Sequence, residues 1–402
     1  MTESRTTPRS LAATAVLVPG TAMVAVTFGL ARYGYGLLLP DMTADLGIGA
    51  GTAGLISSLG YLAYLVANVA VVPLASRLGN RAAVAGAAAS AALGMAVIAV
   101  AGSPWAVATG VLIAGTAAGM AFPPYADIVD RHVDAPRRAV VWSTISSGTG
   151  WGVVLAGPVA ILAGDQWRVA WASFAVIAVA AGATATKLTP SRDDVPLRRP
   201  QLSPSWFFCP RSRPLLLSAV LVGAGSSVWW VFSVDAMQRA GIADTPARAV
   251  YAVCGAAMLL GSLSGFTFDR LGLRPSYVGS TLLLGVSLGL LGAATADLVV
   301  ALLAAALFGA FYATVIAAHG VWSAQVFQEH PAAGLAAVST ALTLGTLVGP
   351  VVAGVVIDRS GHALALAGAA AIVGAALPFC PPSARRRAAL AEHDCAATPV
   401  RR

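Results

Sequence analysis

The chain has 402 residues, of which 57% are hydrophobic and only 10% are charged, with a formal net charge of +8. Soluble globular domains carry about 25% charged residues, so this composition excludes a soluble protein that covers its surface with charge. Apolar runs long enough to cross a bilayer as helices, about 20 residues each, recur along the whole chain. The alternating segments of roughly ten residues that form a transmembrane barrel are absent. We therefore predict an all-α polytopic membrane protein.

Twelve transmembrane helices are predicted in chain order. Their ranges are 12–38, 51–73, 82–102, 105–125, 139–162, 168–187, 214–237, 247–268, 275–294, 297–318, 332–356 and 362–379. A segment rich in Pro and Arg separates the first six from the last six, and this composition is typical of a linker. The predicted organisation is a cytoplasmic N-terminus (1–11), a six-helix bundle (12–187), a cytoplasmic linker (188–213), a second six-helix bundle (214–379) and a basic cytoplasmic tail (380–402).

The basic residues indicate the orientation of the chain in the membrane. With the N-terminus placed in the cytoplasm, 20 of the 25 Lys and Arg residues fall in cytoplasmic segments. Arg168, Arg239, Arg248 and Arg359 fall in outer segments, and Arg32 falls within a span. This bias follows the positive-inside rule and predicts that both termini are cytoplasmic. Inner loops facing anionic lipid account for the net charge, so no nucleic-acid partner is expected.

No pattern for catalysis or for a bound cofactor is present. The apolar spans carry no Ser/His/Asp set, no metal-ligand spacing and no Gly-rich loop followed by Lys-Ser/Thr. The four cysteines have neither paired nor metal-ligand spacing. We predict that the protein is not an enzyme and that it has no cofactor, metal site or disulfide framework.

The two halves resemble each other at offsets of 192 to 194 residues. Short motifs recur after helices of the same number within each half, which indicates an internal repeat of six spans. The pairs are Arg77-Leu78-Gly79 with Arg270-Leu271-Gly272, Gly157-Pro158 with Gly349-Pro350, and Asp41 before Gly47-Ile48 with Asp235 before Gly241-Ile242.

Two loops resemble the signature of the major facilitator superfamily (MFS), which has the form Gly-x-Leu-Ala-Asp-Arg-x-Gly-Arg-Arg/Lys. The matching residues are Leu74, Ala75, Arg77, Gly79 and Arg81 in the first half, and Gly265, Asp269, Arg270, Gly272 and Arg274 in the second. Ser76 stands where the family has Asp, so the first copy lacks its usual anion. The resemblance covers essentially the whole chain. It implies the MFS fold, two pseudo-symmetric six-helix bundles that work by alternating access.

The resemblance also implies that these loops form a cytoplasmic gate. Asp127 and Asp130, at the inner end of the fourth helix, are candidate partners for Arg77 in place of the missing anion. The alternative interpretation is a tight Gly turn with solvated loop charges. The gating set comprises Arg77, Gly79, Arg81, Asp127, Asp130, Gly265, Asp269, Arg270, Gly272 and Arg274.

Gly and Pro residues in the fifth and eleventh helices predict close helix packing. Gly at four-residue spacing lets helices approach closely, and Pro permits a kink. The helix-packing residues are Gly157, Pro158, Gly345, Gly349 and Pro350. They resemble the Gly-Pro motif of MFS exporters, although the first copy lacks the trailing Gly pair. The Arg found in the fourth helix of many proton antiporters of the family has no match here.

Arg32 marks the candidate substrate site. A guanidinium in hydrocarbon costs several kcal/mol, so such a residue is a functional hypothesis by default. It lies about 12 Å from Pro40 at 1.5 Å per residue, a depth that suits either a central cavity or snorkelling to the outer surface. His319 near the inner mouth is either a solvated end residue or a coupling group. The candidate substrate-binding residues are Arg32, Tyr33, Tyr35, Tyr61, Tyr64, Asn68, Trp142, Trp229, Trp230, Tyr251 and Tyr312.

These observations predict a secondary transporter of a small organic solute that works by alternating access. Proton coupling is expected, and efflux of a metabolite or drug is favoured by the Gly-Pro motifs. No carboxylate lies clearly in mid-membrane, so an uptake transporter for a small anion bound at Arg32 is the alternative. A non-transporting membrane sensor on the same fold is a third. The strong excess of Arg over Lys is typical of GC-rich bacteria. We expect a monomer in the bacterial cytoplasmic (inner) membrane, with the substrate, protons and the lipid bilayer as partners.

Overall fold

The computed structural model describes residues 13–189 and 211–382. The predicted N-terminus, most of the predicted linker and most of the basic tail therefore lie outside the described residues. Within the described ranges the chain is helical and contains no strand. Eleven helices there are long and apolar enough to cross a membrane, and a shorter apolar helix follows them. Together they match the twelve predicted spans in number and order, which confirms the predicted fold class.

The helices are numbered α1 to α12 in chain order. Their bounds are α1 Val16–Leu46, α2 Ala50–Leu78, α3 Asn80–Ala99, α4 Pro104–His132, α5 Ala135–Ala163, α6 Trp167–Leu188, α7 Arg213–Arg239, α8 Asp244–Leu271, α9 Leu273–Ala293, α10 Leu298–Val326, α11 Pro331–Ser360 and α12 His362–Gly374. Two of them are irregular. A π-helical turn, Ala25–Leu30, interrupts α1, and a 3-10 turn, Leu259–Leu263, interrupts α8.

The packing of the helices repeats in the two halves. In the first half α1 packs on α5, α2 and α3 pack on α4, and α3 packs on α6. In the second half the same pairs recur six helices later: α7 with α11, α8 and α9 with α10, and α9 with α12. The halves meet mainly through α1 with α7, α2 with α11 and α5 with α8. The sequence repeat therefore corresponds to a repeat of tertiary structure.

The two signature loops share one backbone conformation. Gly79 ends α2 and Gly272 ends α8, each with φ of +87°. L-residues with a side chain rarely adopt this region, so glycine is required at both turns. The end of the molecule that carries these turns is called the gate-loop end below. The opposite end, where α1 meets α2 and α7 meets α8, is called the far end.

Candidate functional site

Arg32 lies at the middle of α1. The helix spans Val16–Leu46 and continues through Pro40, which lies inside it. Arg32 is therefore about 21 Å from Leu46 at 1.5 Å per residue, deeper than the sequence-based estimate, which took Pro40 as the end of the span. The π-helical turn immediately precedes it, with hydrogen bonds from Ala31 N to Val26 O (2.9 Å) and from Tyr33 N to Phe28 O (3.0 Å). Such turns occur frequently at functional sites.

Aromatic rings surround the Arg32 guanidinium. Its Cζ atom lies 4.5 Å from the ring centroid of Tyr64 and 4.6 Å from that of Tyr61. It lies 5.5 Å from the Phe28 ring and 5.8 Å from the Tyr33 ring. Each cation–π contact contributes about 0.5–2 kcal/mol, depending on desolvation. The rings thus stabilise the charge in a place where a carboxylate would otherwise be expected.

Arg32 keeps hydrogen-bonding capacity despite these rings. Within the described ranges, no carboxylate oxygen lies within 4 Å of its guanidinium, and its buried Nε has no hydrogen-bond partner. The side chain is half-buried. Buried charges in proteins are normally paired or ligated. An anion that reaches this guanidinium would find an unneutralised charge with an unused N–H donor.

The second half of the chain supplies a neutral aromatic wall beside this group. Tyr33 stacks on Trp230 with ring centroids 4.0 Å apart, and Trp230 lies edge-on to Tyr312 at 5.6 Å. Tyr251 donates its hydroxyl to the Tyr33 carbonyl oxygen at 2.8 Å. Tyr33 therefore links the two halves at the level of Arg32. The structure brings together seven of the predicted residues: Arg32, Tyr33, Tyr61, Tyr64, Trp230, Tyr251 and Tyr312.

Three other candidates make contacts between or within helices in this structure, and their role in substrate binding stays a prediction. The Tyr35 hydroxyl donates to the Ala53 carbonyl of α2 at 3.1 Å. Trp229 is fully buried and stacks on Phe308 within the second half at 4.5 Å. Asn68 lies where α2 packs against Gly119 of α4.

Two ring contacts of the site were missed by sequence reasoning. Phe28 precedes Arg32 by four residues, a spacing that places both on one helix face, and this signal was available. Phe122 of α4 contacts Phe28, with ring centroids 4.9 Å apart, and also the predicted residue Trp142, at 5.1 Å. A contact between residues so far apart in the chain carries no sequence signal.

The gate loop is held differently from the prediction. Asp127 accepts hydrogen bonds from Asn80 Nδ2 (2.7 Å) and Arg131 Nε (2.8 Å). Asp130 pairs with Arg138 at 2.7 Å. Neither carboxylate pairs with Arg77, because closer donors on α3, α4 and α5 take them. In the second copy, Arg270 lies over the Phe266 ring at 4.3 Å.

The predicted packing glycines lie at close helix crossings. Gly157 of α5 faces Ala252 of α8, and Gly345 and Gly349 of α11 face the α7 backbone at Val220 and Ala224. Pro158 and Pro350 lie inside α5 and α11. A side chain at any of the three glycines would collide with its neighbour.

Arg248 was counted with the outer basic residues, at the start of the predicted eighth span 247–268, and the structure shows that it is buried. It lies in α8, only 1% exposed, and donates two hydrogen bonds to Asp41 of α1 at 2.9 and 3.0 Å. It also donates to the carbonyl oxygens of Ala160 and Gly164 at the end of α5, at 2.9 and 3.0 Å. Arg32 is therefore not the only arginine enclosed in the helical region, and this second one joins the halves at the far end.

A carboxylate makes a second tie between the halves at the far end. Asp358 of α11 accepts hydrogen bonds from Ala50 N and Gly51 N of α2, at 3.0 and 2.8 Å. A carboxylate at a helix N-terminus is stabilised by the free N–H groups and by the helix dipole. About two helical turns further along α2, Ser58 donates to the Leu347 carbonyl oxygen of α11 at 2.6 Å.

His319 is not a solvated end residue. It is 1% exposed, and its Nε2 lies 2.7 Å from Ser218 Oγ, which lies 2.5 Å from the Tyr277 hydroxyl. These three side chains form a connected polar cluster inside the second half.

Comparisons with known proteins agree with this architecture. Residues 24–379 match the model of a family described as uncharacterised MFS-type transporter YbfB. No curated protein sequence matches the chain. Since the family model spans most of the chain and describes transporters, the prediction that the protein is not an enzyme is confirmed.

Solved structures share the fold at low sequence identity. The nucleoside transporter NupG superposes with a TM-score of 0.70 at 14% identity, covering 90% of this chain and 98% of that one. The xylose transporter XylE from E. coli, in a partially occluded inward open conformation, gives a TM-score of 0.74 at 15% identity, covering 91% and 96%. A D-xylose-proton symporter structure gives 0.71 at 14% identity, covering 91% and 97%. At such identities the likeness shows the fold alone.

Proposed function

From the premise that the chain belongs to this family of MFS-type transporters, we propose that it is a secondary transporter that binds a small organic anion at Arg32. Family and fold support secondary transport. The anion is inferred from the charge at the centre of the molecule.

Arg32 is the observation that carries the proposal. A guanidinium at mid-helix is costly in hydrocarbon, and here the surrounding rings stabilise it without neutralising it. No carboxylate oxygen of the described residues lies within 4 Å of the guanidinium, so its charge is available to an anion from outside the protein. Charge-assisted hydrogen bonds to a carboxylate are about twice as strong as neutral ones. A cationic or neutral solute would gain nothing comparable here.

The contacts between the halves support alternating access around this point. The ties made by Arg248, Asp358 and Ser58 all lie between Arg32 and the far end. Access to Arg32 from the far end requires these ties to break, whereas access from the gate-loop end does not involve them. An anion bound between the halves at Arg32 is therefore separated from the far end as long as these contacts hold.

The remaining functional expectations stay predictions. These are the efflux direction, proton coupling, the monomeric state, and a bacterial inner membrane with both termini in the cytoplasm. Uptake of the anion is the alternative to efflux. A non-transporting sensor is separated from both by counterflow in proteoliposomes, which only a transporter supports.

The test is a ligand panel on the purified protein with two Arg32 variants. Thermal shifts are measured with acetate, lactate, benzoate, nitrate and phosphate, and the most stabilising anion is then used for counterflow. Arg32→Ala is expected to abolish both the shift and the counterflow, because it removes the charge. Arg32→Lys is expected to retain part of each, because it keeps the charge but not the planar donor pair.

Unliganded melting temperatures and elution profiles of both variants show whether they are folded. Equal stabilisation of wild type and a folded Arg32→Ala by the same anion would contradict the proposal.

A further inference from the structure

A continuous row of aromatic rings leads away from Arg32 along the first half. We call Tyr64, Phe28, Phe122 and Trp142 the aromatic strip. The ring centroids lie 6.0 Å apart for Tyr64 and Phe28, 4.9 Å for Phe28 and Phe122, and 5.1 Å for Phe122 and Trp142. The rings come from α2, α1, α4 and α5, so only the tertiary fold makes them continuous.

The strip descends from the guanidinium towards the gate-loop end. Counted from the helix ends on that side, Arg32 lies 16 residues in, Phe28 12, Phe122 10 and Trp142 7. These counts correspond to about 24, 18, 15 and 10 Å at 1.5 Å per residue. Phe122 and Trp142 are half-buried, whereas Phe28 and Tyr64 are buried. The lower part of the strip therefore keeps exposed ring surface.

We infer that the anion is an organic monocarboxylate with a flat apolar body, such as an aromatic acid. The aromatic strip binds this apolar body. The inference rests on the proposed function. A carboxylate is planar and matches two parallel N–H donors of a guanidinium. Rings beside it stack on, or meet edge-on, a flat apolar group, contributing about 0.5–1.5 kcal/mol per ring pair beyond area burial.

The same surroundings disfavour strongly hydrated anions. Phosphate would lose much of its hydration shell against the ring faces of Phe28 and Phe122, which offer no N–H or O–H donors, and burial of a polar group without such partners is unfavourable. Acetate would reach the guanidinium but leave the strip unused. Phe122 and Trp142 therefore determine which anion the site prefers, while Arg32 supplies the attraction common to all anions.

The strip is tested by calorimetric titration of the purified wild-type protein with benzoate, acetate, nitrate and the neutral analogue benzamide. Benzoate is expected to bind at least tenfold more tightly than acetate or nitrate, and benzamide not measurably. Phe122→Leu and Trp142→Leu are each expected to weaken benzoate binding about three- to tenfold, the value of one ring contact, and to leave acetate binding unchanged.

The matched control is Trp151→Leu on α5, the same helix as Trp142. Trp151 is 52% exposed and is absent from the ring contacts of the strip. Benzoate affinity is expected to be unchanged in this variant.

The outcomes separate this inference from the proposed function. If anions bind through Arg32 but benzoate binds no more tightly than acetate, the aromatic strip is packing only and the inference falls while the proposed function stands. If Trp142→Leu weakens benzoate binding and acetate binding by the same factor, the same conclusion follows. If a folded Arg32→Ala binds the panel as wild type does, the proposed function falls and the inference with it.

Discussion

Two arginines of the helical core are stabilised in contrasting ways. Arg248 donates to both oxygens of Asp41 and to two carbonyl oxygens, so its charge is neutralised and its geometry fixed. Arg32 is enclosed by rings, and among the described residues no carboxylate oxygen lies within 4 Å of its guanidinium. A guanidinium neutralised by a protein carboxylate suits a contact that holds the halves together in this conformation, whereas an unneutralised one suits a ligand that binds and dissociates.

Replacing Arg248 is expected to destabilise the protein far more than replacing Arg168. Arg168 pairs with Asp45 at the same end, but its side chain and that of its partner are 41% and 44% exposed. Breaking a buried pair costs roughly 3 kcal/mol or more, while an exposed pair contributes about 0–1 kcal/mol. Melting curves of Arg248→Met and Arg168→Met in detergent measure the difference. Equal falls in melting temperature would show that the Arg248 contacts contribute little.

At the scale of the element, α1 consists of two parts with different attachments. The part before Arg32, including the π-helical turn, packs on α5, and the part Gly34–Leu46 packs on α7 of the other half. Arg248 bonds to this second part at Asp41, and Tyr251 bonds to the carbonyl oxygen of Tyr33, the residue just before it. The irregular turn therefore lies where α1 passes from one half to the other.

Gly36→Ala is expected to lower the melting temperature by several degrees. A Cβ at Gly36 would collide with the Trp230 carbonyl oxygen, so α1 would have to separate from α7. The control is Gly279→Ala in α9, where a Cβ meets nothing within 4 Å. Alanine there gains about 1 kcal/mol of helix propensity. If Gly36→Ala and Gly279→Ala have the same melting temperature, the α1–α7 contact accommodates the added methyl group without loss of stability.

At the scale of the whole molecule, closure at the far end depends on few polar contacts. Asp358 is of particular interest because it caps a helix of the opposite half. Asp297 makes the same kind of cap on Val299 N and Val300 N, at 2.8 and 3.1 Å, but on its own helix α10. The two carboxylates therefore separate the effect of a cap from the effect of joining the halves.

Asp358→Ala is expected to open the far end, because it leaves two N–H groups of α2 without an acceptor when the halves are together. Spin labels at Ala44 and Ala243, in a background lacking the native cysteines, report the separation of the halves by electron–electron distance measurement. A population with a longer distance is expected for Asp358→Ala but not for Asp297→Ala. Identical distributions in both variants would rule out Asp358 as a tie of this closure.

The fold was predictable because it depends on features that are local in sequence. Apolar length defines the twelve spans, and the Gly79 and Gly272 turns are visible in the sequence as the repeated Arg-Leu-Gly. The site was predictable only in part. Arg32 could be identified by its charge, and Tyr61 and Tyr64 by their spacing, but Trp229 and Tyr35 have the same composition signal and lie in packing contacts.

By itself the sequence determined the membrane class, the twelve helices, the internal repeat and the single charge at the middle of α1. Each of these follows from the cost of placing polar groups in hydrocarbon, which acts on every residue wherever its neighbours lie. Only the tertiary structure decided that Arg248 is buried, that Asp358 caps α2 and that Phe122 joins Phe28 to Trp142. These contacts join residues on different helices. Helices of such similar apolar composition could pair in many ways, so only the packing of the folded chain decides which residues meet.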